Sequence, residues 1–393
     1  MDATPSRNSS VTSSTDATVM IDARYLNGRP SGIGRYTRQL IDHLLTLDDE
    51  LRLRLITHPA DPRPFEHRRV HCQTFHSAPN SPATRYLLSR RVDFEGVDLF
   101  HSPYNLLPRN LPVPAIFTLH DIMWLIDPAF CSNRFLKKMV SGFFNRLVIP
   151  PSVQEADALL TVSHHSRREI EDWFGPRAPD VAVSYNGVDP YFRPLPPHEA
   201  WPLLAPFMAP RTQFALIVGQ GAPYKNHTAA VRAFLQAFGD DPQMYLVLVR
   251  RIYSGPDDEL KQLLDDPRLN SRVILLDGVS LPQLRALYAM ARLFLFPSLY
   301  EGFGLPALEA MACGTAVMAS DRGAPDEVCG DAALKVDPTD VDAMAHAMAR
   351  LHRDDALRRH HEQAGPPRAR QFQWRSSAQS VLRTYRRVLQ RGD

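Results

Sequence analysis

Two glutamates eight residues apart are the first candidates for chemistry in this sequence. Glu301 and Glu309 stand in the string Glu-Gly-Phe-Gly-Leu-Pro-Ala-Leu-Glu, which follows an apolar run at residues 293–296. Pro306 suits the first turn of a helix, so we expect strand, turn and helix in that order. The carboxylates would accept hydrogen bonds from sugar or ribose hydroxyls, while an anion such as a diphosphate would bind the backbone amides at the helix start, which belong to Phe303, Gly304 and Leu305. A turn with two surface glutamates is the alternative.

A lysine follows the first apolar run of the second half. Lys225 lies in the string Gly-Gln-Gly-Ala-Pro-Tyr-Lys-Asn, which begins at Gly219, directly after a predicted strand at 214–218. A lysine at a strand end that faces a cleft can neutralise the charge of a leaving phosphate. A solvated lysine in a turn explains the same residues.

Two strand ends in the first half carry weaker signals. His120 and Asp121 follow a predicted strand at 115–119. His120 could hydrogen-bond a reacting sugar with Asp121 orienting its ring, although such a pair is commonly structural. A glycine turn with Gly32 and Gly34 lets the backbone approach a phosphate closely. Thr37 stands where a complete G-x-G-x-x-G has its third glycine, so an ordinary tight turn is the alternative.

The sequence shows no metal-binding spacing of histidines or cysteines. Asp340 and Asp342 superficially resemble a metal-binding D-x-D, but they precede a helical pattern at 343–351, so we expect Asp340 to be an N-cap. The four cysteines are scattered, which favours reduced thiols over disulfides. We therefore predict no metal and no cofactor.

Composition excludes several classes. The 393 residues carry 45 basic and 43 acidic side chains, a formal net charge of +2, which gives no electrostatic argument for nucleic-acid binding. No apolar run approaches the roughly 20 residues that span a bilayer. Residues 1–18 are rich in Ser, Thr and Asp and lack the basic and apolar regions of a signal peptide. These features predict a cytoplasmic protein with a disordered tail.

The elements that must position the candidate residues alternate between strands and helices. This alternation predicts an α/β protein with two parallel sheets and a cleft at the carboxyl ends of their strands. Seven prolines from Pro190 to Pro210 interrupt the pattern, which we interpret as a linker that contains no helix. The predicted strands are 19–23, 54–57, 98–101, 115–119, 158–162, 181–184, 214–218, 245–249, 273–276, 293–296, 316–319 and 333–336.

The predicted organisation has five parts. Residues 1–18 form the tail, 19–190 a first Rossmann-like domain, 191–211 the linker and 212–375 a second Rossmann-like domain. Residues 376–393 contain an amphipathic helix that we expect to close back toward the first domain.

These motifs resemble those of the retaining glycosyltransferases of family 4, which have the GT-B fold of two Rossmann-like domains facing each other across a cleft. Glu301 and Glu309 match the E-x7-E motif of that family. The strings at 31–36, 119–121, 186–189 and 223–226 also match, and the resemblance covers nearly the whole chain from about residue 19. It implies that the first domain binds the acceptor and the second the nucleotide sugar.

The resemblance implies a role for each candidate. Glu309 would bind the ribose, Glu301 the donor sugar, Lys225 the diphosphate and His120 the sugar near its anomeric carbon. The other donor-binding positions would be Gly32, Gly34, Gln220, Phe303, Gly304 and Leu305. Where many members carry an arginine, this sequence has Gln220 and Tyr224, so a second phosphate-binding cation is missing, for which Arg250 and Arg251 are candidates.

The implied reaction is retaining transfer of a hexose from a nucleotide-diphospho-sugar to a hydroxyl of a glycan, a lipid-linked glycan or a small molecule. The Gly-Ile-Gly-Arg-Tyr and Tyr-Lys-Asn strings look like those of bacterial polysaccharide mannosyltransferases, which favours GDP-mannose, with UDP-sugars as alternatives. The competing functions are a dehydrogenase, a non-catalytic sugar-nucleotide-binding protein, and an epimerase or phosphorylase of the same fold.

One amphipathic segment has two interpretations. A core helix that covers the sheet is the favoured one. An interfacial helix that docks on an anionic membrane, at its inner face, to reach a lipid-linked acceptor is the alternative. The helical stripe consists of Phe135, Leu136, Met139, Val140, Phe143, Phe144, Leu147 and Val148, with Lys137, Lys138 and Arg146 elsewhere on the helix.

Overall fold

A computed structural model describes residues 17–28, 31–61, 65–131, 135–251, 258–269 and 271–391. Most of the predicted tail therefore lies outside the described residues. None of the described helices has the length and apolar character that crossing a membrane requires.

The first half is a parallel sheet of seven strands in the order β3-β2-β1-β4-β5-β6-β7. Its central strands are short apolar runs buried on both faces, which parallel sheets require. The strands are β1 (Thr18–Asp22), β2 (Arg52–Thr57), β3 (Val70–Thr74), β4 (Leu99–Ser102), β5 (Ala115–Thr118), β6 (Ala158–Thr161) and β7 (Val181–Val183). The helices are α1 (Gly32–Leu47), α2 (Pro82–Arg91), α3 (Met123–Ile126), α4 (Phe135–Glu155) and α5 (His164–Phe174).

The second half is a parallel sheet of six strands in the order β10-β9-β8-β11-β12-β13. Its strands are β8 (Gln213–Gln220), β9 (Met244–Arg251), β10 (Val273–Leu276), β11 (Leu293–Phe296), β12 (Val317–Ser320) and β13 (Leu334–Val336). The remaining helices are α6 (Pro197–Leu204), α7 (His227–Phe238), α8 (Asp258–Leu264), α9 (Leu281–Met290), α10 (Leu305–Ala312), α11 (Gly323–Cys329), α12 (Val341–Arg353), α13 (Asp355–Ala369) and α14 (Trp374–Leu389).

Each sheet has a point where its strand order reverses, between β1 and β4 in the first and between β8 and β11 in the second. Loops that leave neighbouring strands in opposite directions open a crevice there, and ligands of such sheets bind in it. Gly32 begins α1, directly after the loop that follows β1, and the loops after β8 and β11 contain Lys225 and Glu301. The sheet topology thus places the predicted donor residues at both switch points.

Twelve of the thirteen described strands lie within two residues of their predicted positions. The strand that sequence reasoning missed is β3, an edge strand of sequence Val-His-Cys-Gln-Thr with no buried residue. A strand that pairs on one side and buries no side chain gives no apolar run to detect.

The prediction of a linker without helix is wrong, since α6 lies inside it. Pro197 opens α6, where a proline is accommodated because the first amides of a helix have no partner, and Pro202 lies within the helix. Ala200 and Leu204 are buried in the same apolar cluster as Phe214 of β8. The proline-rich segment is therefore packed onto the second sheet.

The chain crosses from the second half back to the first just before α14. Trp374 and Tyr385 of α14 are buried against the first sheet, and the Tyr385 hydroxyl lies 2.7 Å from Nδ1 of His101 on β4. Gly187 packs against the backbone of residues 373 and 374, where the chain crosses. An added Cβ at 187 would lie 2.6 Å from the carbonyl carbon of Gln373 and 2.7 Å from the Cα of Trp374. Glycine at 187 allows the two crossing segments to touch.

The α4 helix buries only part of its apolar surface. Val148 is 2% exposed, whereas four members of the predicted stripe are exposed, namely Met139 (54%), Val140 (63%), Phe143 (67%) and Leu147 (57%). The interpretation of the stripe as core is wrong for these four side chains. The side chains of residues 135–138 lie outside the described part of the molecule.

We expect Gly187→Ala to destabilise the protein by about 1–3 kcal/mol, since the new methyl group forces two backbones apart. Gly32→Ala is the matched control, because an added Cβ there has no atom within 4 Å. Thermal and urea denaturation of both variants measure the effect. Equal stability of the two variants would contradict the packing described at Gly187.

Candidate active site

The loops after β8 and β11 meet through an ion pair. Lys225 Nζ donates to Oε1 of Glu301 at 2.5 Å, and the two side chains are only 9% and 12% exposed. The Leu299 amide also donates to the carbonyl of Tyr224 at 2.7 Å, which joins the same two loops through their backbones. Charges buried to this degree require partners, so a ligand that separates the pair must supply new ones.

The backbone after Lys225 is fixed by Asn226. This residue adopts the left-handed conformation, with φ of 57°, which asparagine tolerates better than most residues. Its side-chain amide donates to the carbonyls of Pro297 at 3.2 Å and Pro338 at 2.7 Å. The turn that presents Lys225 is thereby attached to the end of β11. Gln220, the last residue of β8, is exposed.

The structure brings the loops that carry His120 and Glu301 into contact. An added Cβ at Gly302 would lie 2.5 Å from the carbonyl oxygen of His120, so a side chain at 302 would collide with the loop after β5. Ser166 Oγ of α5 donates to the carbonyl of Gly302 at 3.3 Å. Residues of the first half thus hold the loop that carries Glu301.

The ring of His120 is oriented by a backbone carbonyl. Its Nε2 lies 2.9 Å from the carbonyl oxygen of Pro103, and Tyr36 contacts the ring edge-on at 4.9 Å between centroids. Asp121 accepts instead from the Met123 amide at 3.0 Å, so the prediction that Asp121 orients the ring is wrong. Since Nε2 faces an acceptor it carries the proton, which leaves Nδ1 as a hydrogen-bond acceptor.

Burial shifts both residues of this strand end toward their neutral forms. It lowers the pKa of His120 to about 4. It raises the pKa of Asp121 to about 6, and the nearby carboxylates of Glu301 and Glu169 add to that increase. At neutral pH the imidazole is therefore uncharged, so it can form hydrogen bonds but carries no positive charge.

Glu309 lies at a junction between the halves. It is the fifth residue of α10 and is 3% exposed. Its Oε2 accepts from the Tyr288 hydroxyl at 2.9 Å, and its Oε1 forms an ion pair with Arg35 of α1. Sequence reasoning named neither partner as a site residue. Arg35 lies in the string 31–36 that was matched to the family, whereas Tyr288 carries no signal in the sequence.

Phe303 and Gly304 lie directly before α10. Gly304 has φ of 129° and precedes Leu305, the first residue of α10. Phe303 is 4% exposed and packs on Tyr185 and Phe372, so only its backbone can face a ligand.

Gly32 and Gly34 differ at the start of α1. An added Cβ at Gly32 meets nothing within 4 Å, whereas one at Gly34 would lie 2.9 Å from the Tyr25 carbonyl oxygen and 3.0 Å from Ser31 Oγ. The space beside Gly34 is therefore filled by protein atoms, which indicates that this glycine serves packing at the strand–helix turn.

Within the described ranges, no three His, Cys, Asp or Glu side chains gather in a way that could hold a metal ion. Asp340 accepts from the Ala343 amide at 2.8 Å and caps α12, as the sequence predicted.

Two facing Rossmann-like sheets define a class of protein, since they are the fold of a GT-B glycosyltransferase. Lys225 and Glu301 lie at the switch point of the second sheet, whereas His120 follows β5 and Glu309 lies in α10. The sucrose-phosphate synthase of Thermosynechococcus elongatus shares this fold, with a TM-score of 0.74 and 22% identity over 95% of this chain and 99% of that one.

Both halves of the sequence match glycosyltransferase families. Residues 30–192 match the family described as Glycosyltransferase Family 4, and residues 208–368 match Glycosyl transferases group 1. The O-antigen chain mannosyltransferase B of Escherichia coli is 30% identical over 91% of this chain and 96% of its own length. The MMP alpha-(1->4)-mannosyltransferase of Mycolicibacterium hassiacum is 36% identical over 79% of this chain and 74% of its own.

The chain belongs to glycosyltransferase family 4, and it is a glycosyltransferase. The predicted fold, family and enzyme class are confirmed. The alternative functions considered from the sequence find no support among these relatives.

The raised pKa of Asp121 predicts a pH-dependent stability. The folded protein keeps a proton on Asp121 up to about pH 6, whereas the unfolded chain loses it near pH 4, so this carboxyl lowers stability as the pH rises through that window. Asp121→Asn removes the effect and retains an acceptor for the Met123 amide. We expect the melting temperature of the variant to rise relative to the wild type between pH 4 and 7.

Asp127→Asn is the control, because the exposed Asp127 also accepts a backbone amide, that of Ala129 at 2.8 Å. Its melting temperature, measured at the same pH values, gives the effect of the same substitution at an exposed position. A melting-temperature difference for Asp121→Asn that does not change with pH would contradict the burial of this carboxyl.

Proposed function

We propose that this glycosyltransferase transfers mannose from GDP-mannose to a hydroxyl of a glycan or lipid-linked glycan, with retention of configuration. The observation that carries the donor site is the largely buried pair of Lys225 and Glu301, which precedes the start of α10. The two relatives named as mannosyltransferases support the choice of sugar. UDP-sugars are the alternative donors.

The geometry supports a separate binding role for each of these groups along the donor. The diphosphate lies between Lys225 and the first amides of α10, where a cation and a helix N-terminus both favour negative charge. The sugar hydroxyls donate to Glu301, which lies in the loop before α10. The ribose hydroxyls donate to Glu309, a buried residue of α10.

The chemical step then breaks the bond between the anomeric carbon and the phosphate oxygen. The acceptor oxygen bonds to the same face of that carbon, and its proton passes to an oxygen of the leaving phosphate. Lys225 stabilises the charge that develops on the diphosphate. Nδ1 of His120 accepts a hydrogen bond from a sugar hydroxyl near the reacting carbon and so orients the ring. These groups supply the positive charge without a metal ion, so the proposed reaction is metal-independent.

We propose that α4 brings the enzyme to an anionic membrane surface, where a lipid-linked acceptor is presented. Four exposed apolar side chains on this helix, at 139, 140, 143 and 147, would insert among lipid chains. The helix also contains Lys137, Lys138 and the exposed Arg146 and has no acidic residue before Glu155, which complements anionic headgroups.

Substitution of the two glutamates should have different effects on GDP affinity and on turnover. Glu309→Gln weakens the hydrogen bonds to the ribose, so we expect affinity for GDP and for GDP-mannose to fall together, by about 1.5–3 kcal/mol. Glu301→Gln should not weaken GDP binding, because it removes the carboxylate that competes with the diphosphate for Lys225, and it should lower turnover, because orientation of the sugar matters most as the bond breaks. Calorimetry with GDP in EDTA, beside steady-state kinetics with the full donor, measures both. Equal loss of GDP affinity in two folded variants would contradict the separate roles.

Membrane docking is tested by sedimentation with vesicles that contain phosphatidylglycerol, at low salt. Replacing Phe143 and Leu147 by serine should abolish sedimentation, since burial of each side chain contributes about 1.5–3 kcal/mol. Trp173→Ser is the control, because Trp173 is 49% exposed on α5. If the wild type stays in the supernatant, or the double variant sediments with it, the surface does not bind membranes.

A further inference from the structure

We propose that Arg250 and His227 form, together with Lys225, the pocket for the donor diphosphate, and that Arg250 is the second cation. This inference rests on the proposed function. It concerns the two positions, Gln220 and Tyr224, where the sequence departs from the arginine found in many family members. The missing positive charge comes from the neighbouring strand, β9.

The strand register places Arg250 beside the phosphate loop. In the parallel pairing of β8 with β9, Gly219 is the partner of Arg250, so the arginine stands where the loop that carries Lys225 begins. Arg250 is 5% exposed. An added Cβ on Gly221 would lie 2.9 Å from Cζ and 3.0 Å from Nε of Arg250. The glycines of this loop therefore leave room for the guanidinium against the backbone.

His227 supplies the observation that points to a ligand. It is the first residue of α7 and is 5% exposed, yet neither ring nitrogen has a hydrogen-bond partner in the described part of the protein. Buried polar side chains in proteins are nearly always paired. Its Nε2 lies 3.5 Å from the Cβ position of Gly219, and that position is also 3.2 Å from Cδ of Lys225. The imidazole and the lysine thus lie side by side.

Three nitrogen-bearing groups converge at this point. Lys225 and His227 both contact the Cβ position of Gly219, the strand partner of Arg250. Burial is the main cause that lowers the pKa of His227 to about 3, and the charges of Arg250 and Lys225 lower it further. The ring is neutral and can donate one N–H. Two cations, one neutral donor and the N-terminus of α7 favour a ligand with two adjacent negative groups, which is the chemistry of a diphosphate.

Calorimetry with GDP and with inorganic pyrophosphate tests the pocket, since pyrophosphate binding does not depend on the base or the sugar. Arg250→Ala should weaken both ligands at least tenfold, and Arg250→Lys should recover part of the loss. His227→Leu should weaken both ligands, and His227→Gln, which retains an N–H donor, should recover affinity. Arg268→Ala is the control, because Arg268 pairs with Asp266 on the surface of the same half.

Thermal melts identify folded variants, and Arg250→Gln, which retains more of the side chain than alanine, replaces Arg250→Ala if the latter does not fold. Folded variants of Arg250 that bind GDP and pyrophosphate as tightly as the wild type would overturn this inference and leave the proposed function standing. A wild type that binds neither GDP, other nucleoside diphosphates nor pyrophosphate would contradict both.

Discussion

The largely buried ion pair between Lys225 and Glu301 is the interaction on which the arrangement of the candidate site depends. Removing two charges from water costs several kcal/mol each, and their attraction at 2.5 Å offsets that cost only while both loops keep their positions. In the proposed donor complex, diphosphate oxygens would take the place of the carboxylate at Lys225, and sugar hydroxyls would take the place of the ammonium at Glu301. The carboxylate of Glu309 also has protein partners, Arg35 and Tyr288, which ribose hydroxyls would have to replace or join.

Several contacts near these carboxylates hold the two sheets face to face. Besides the Arg35–Glu309 pair, the Tyr300 hydroxyl donates to Glu169 at 2.5 Å. Glu327 of α11 also accepts the first two amides of α5, at 2.8 and 2.7 Å, across the same cleft. The loop between β11 and α10 thus contacts the first half on both sides of Glu301. A change in the relative position of the halves would alter the site without touching a donor-binding residue.

Much of the fold, and the positions of the loops that carry Lys225 and Glu301, could be predicted from sequence, for identifiable reasons. Parallel strands buried on both faces give apolar runs, and loops at switch points concentrate glycines with Lys225 and Glu301. The edge strand β3 and the helix α6 lacked such signals. Contacts that depend on the placement of one element against another could not be read from the sequence. The pairing of Arg35 with Glu309, the approach of Arg250 to Gly221, and the exposed face of α4 are of this kind.

A crystal structure of the protein with GDP tests the central claim most directly. The account predicts phosphate oxygens within hydrogen-bond distance of Lys225 Nζ and of the backbone amides at 303–305, with the ribose hydroxyls on Glu309. It also predicts that Lys225 gives up part of its contact with Glu301 to the diphosphate. A diphosphate bound away from Lys225, or a ribose that does not touch Glu309, would contradict it.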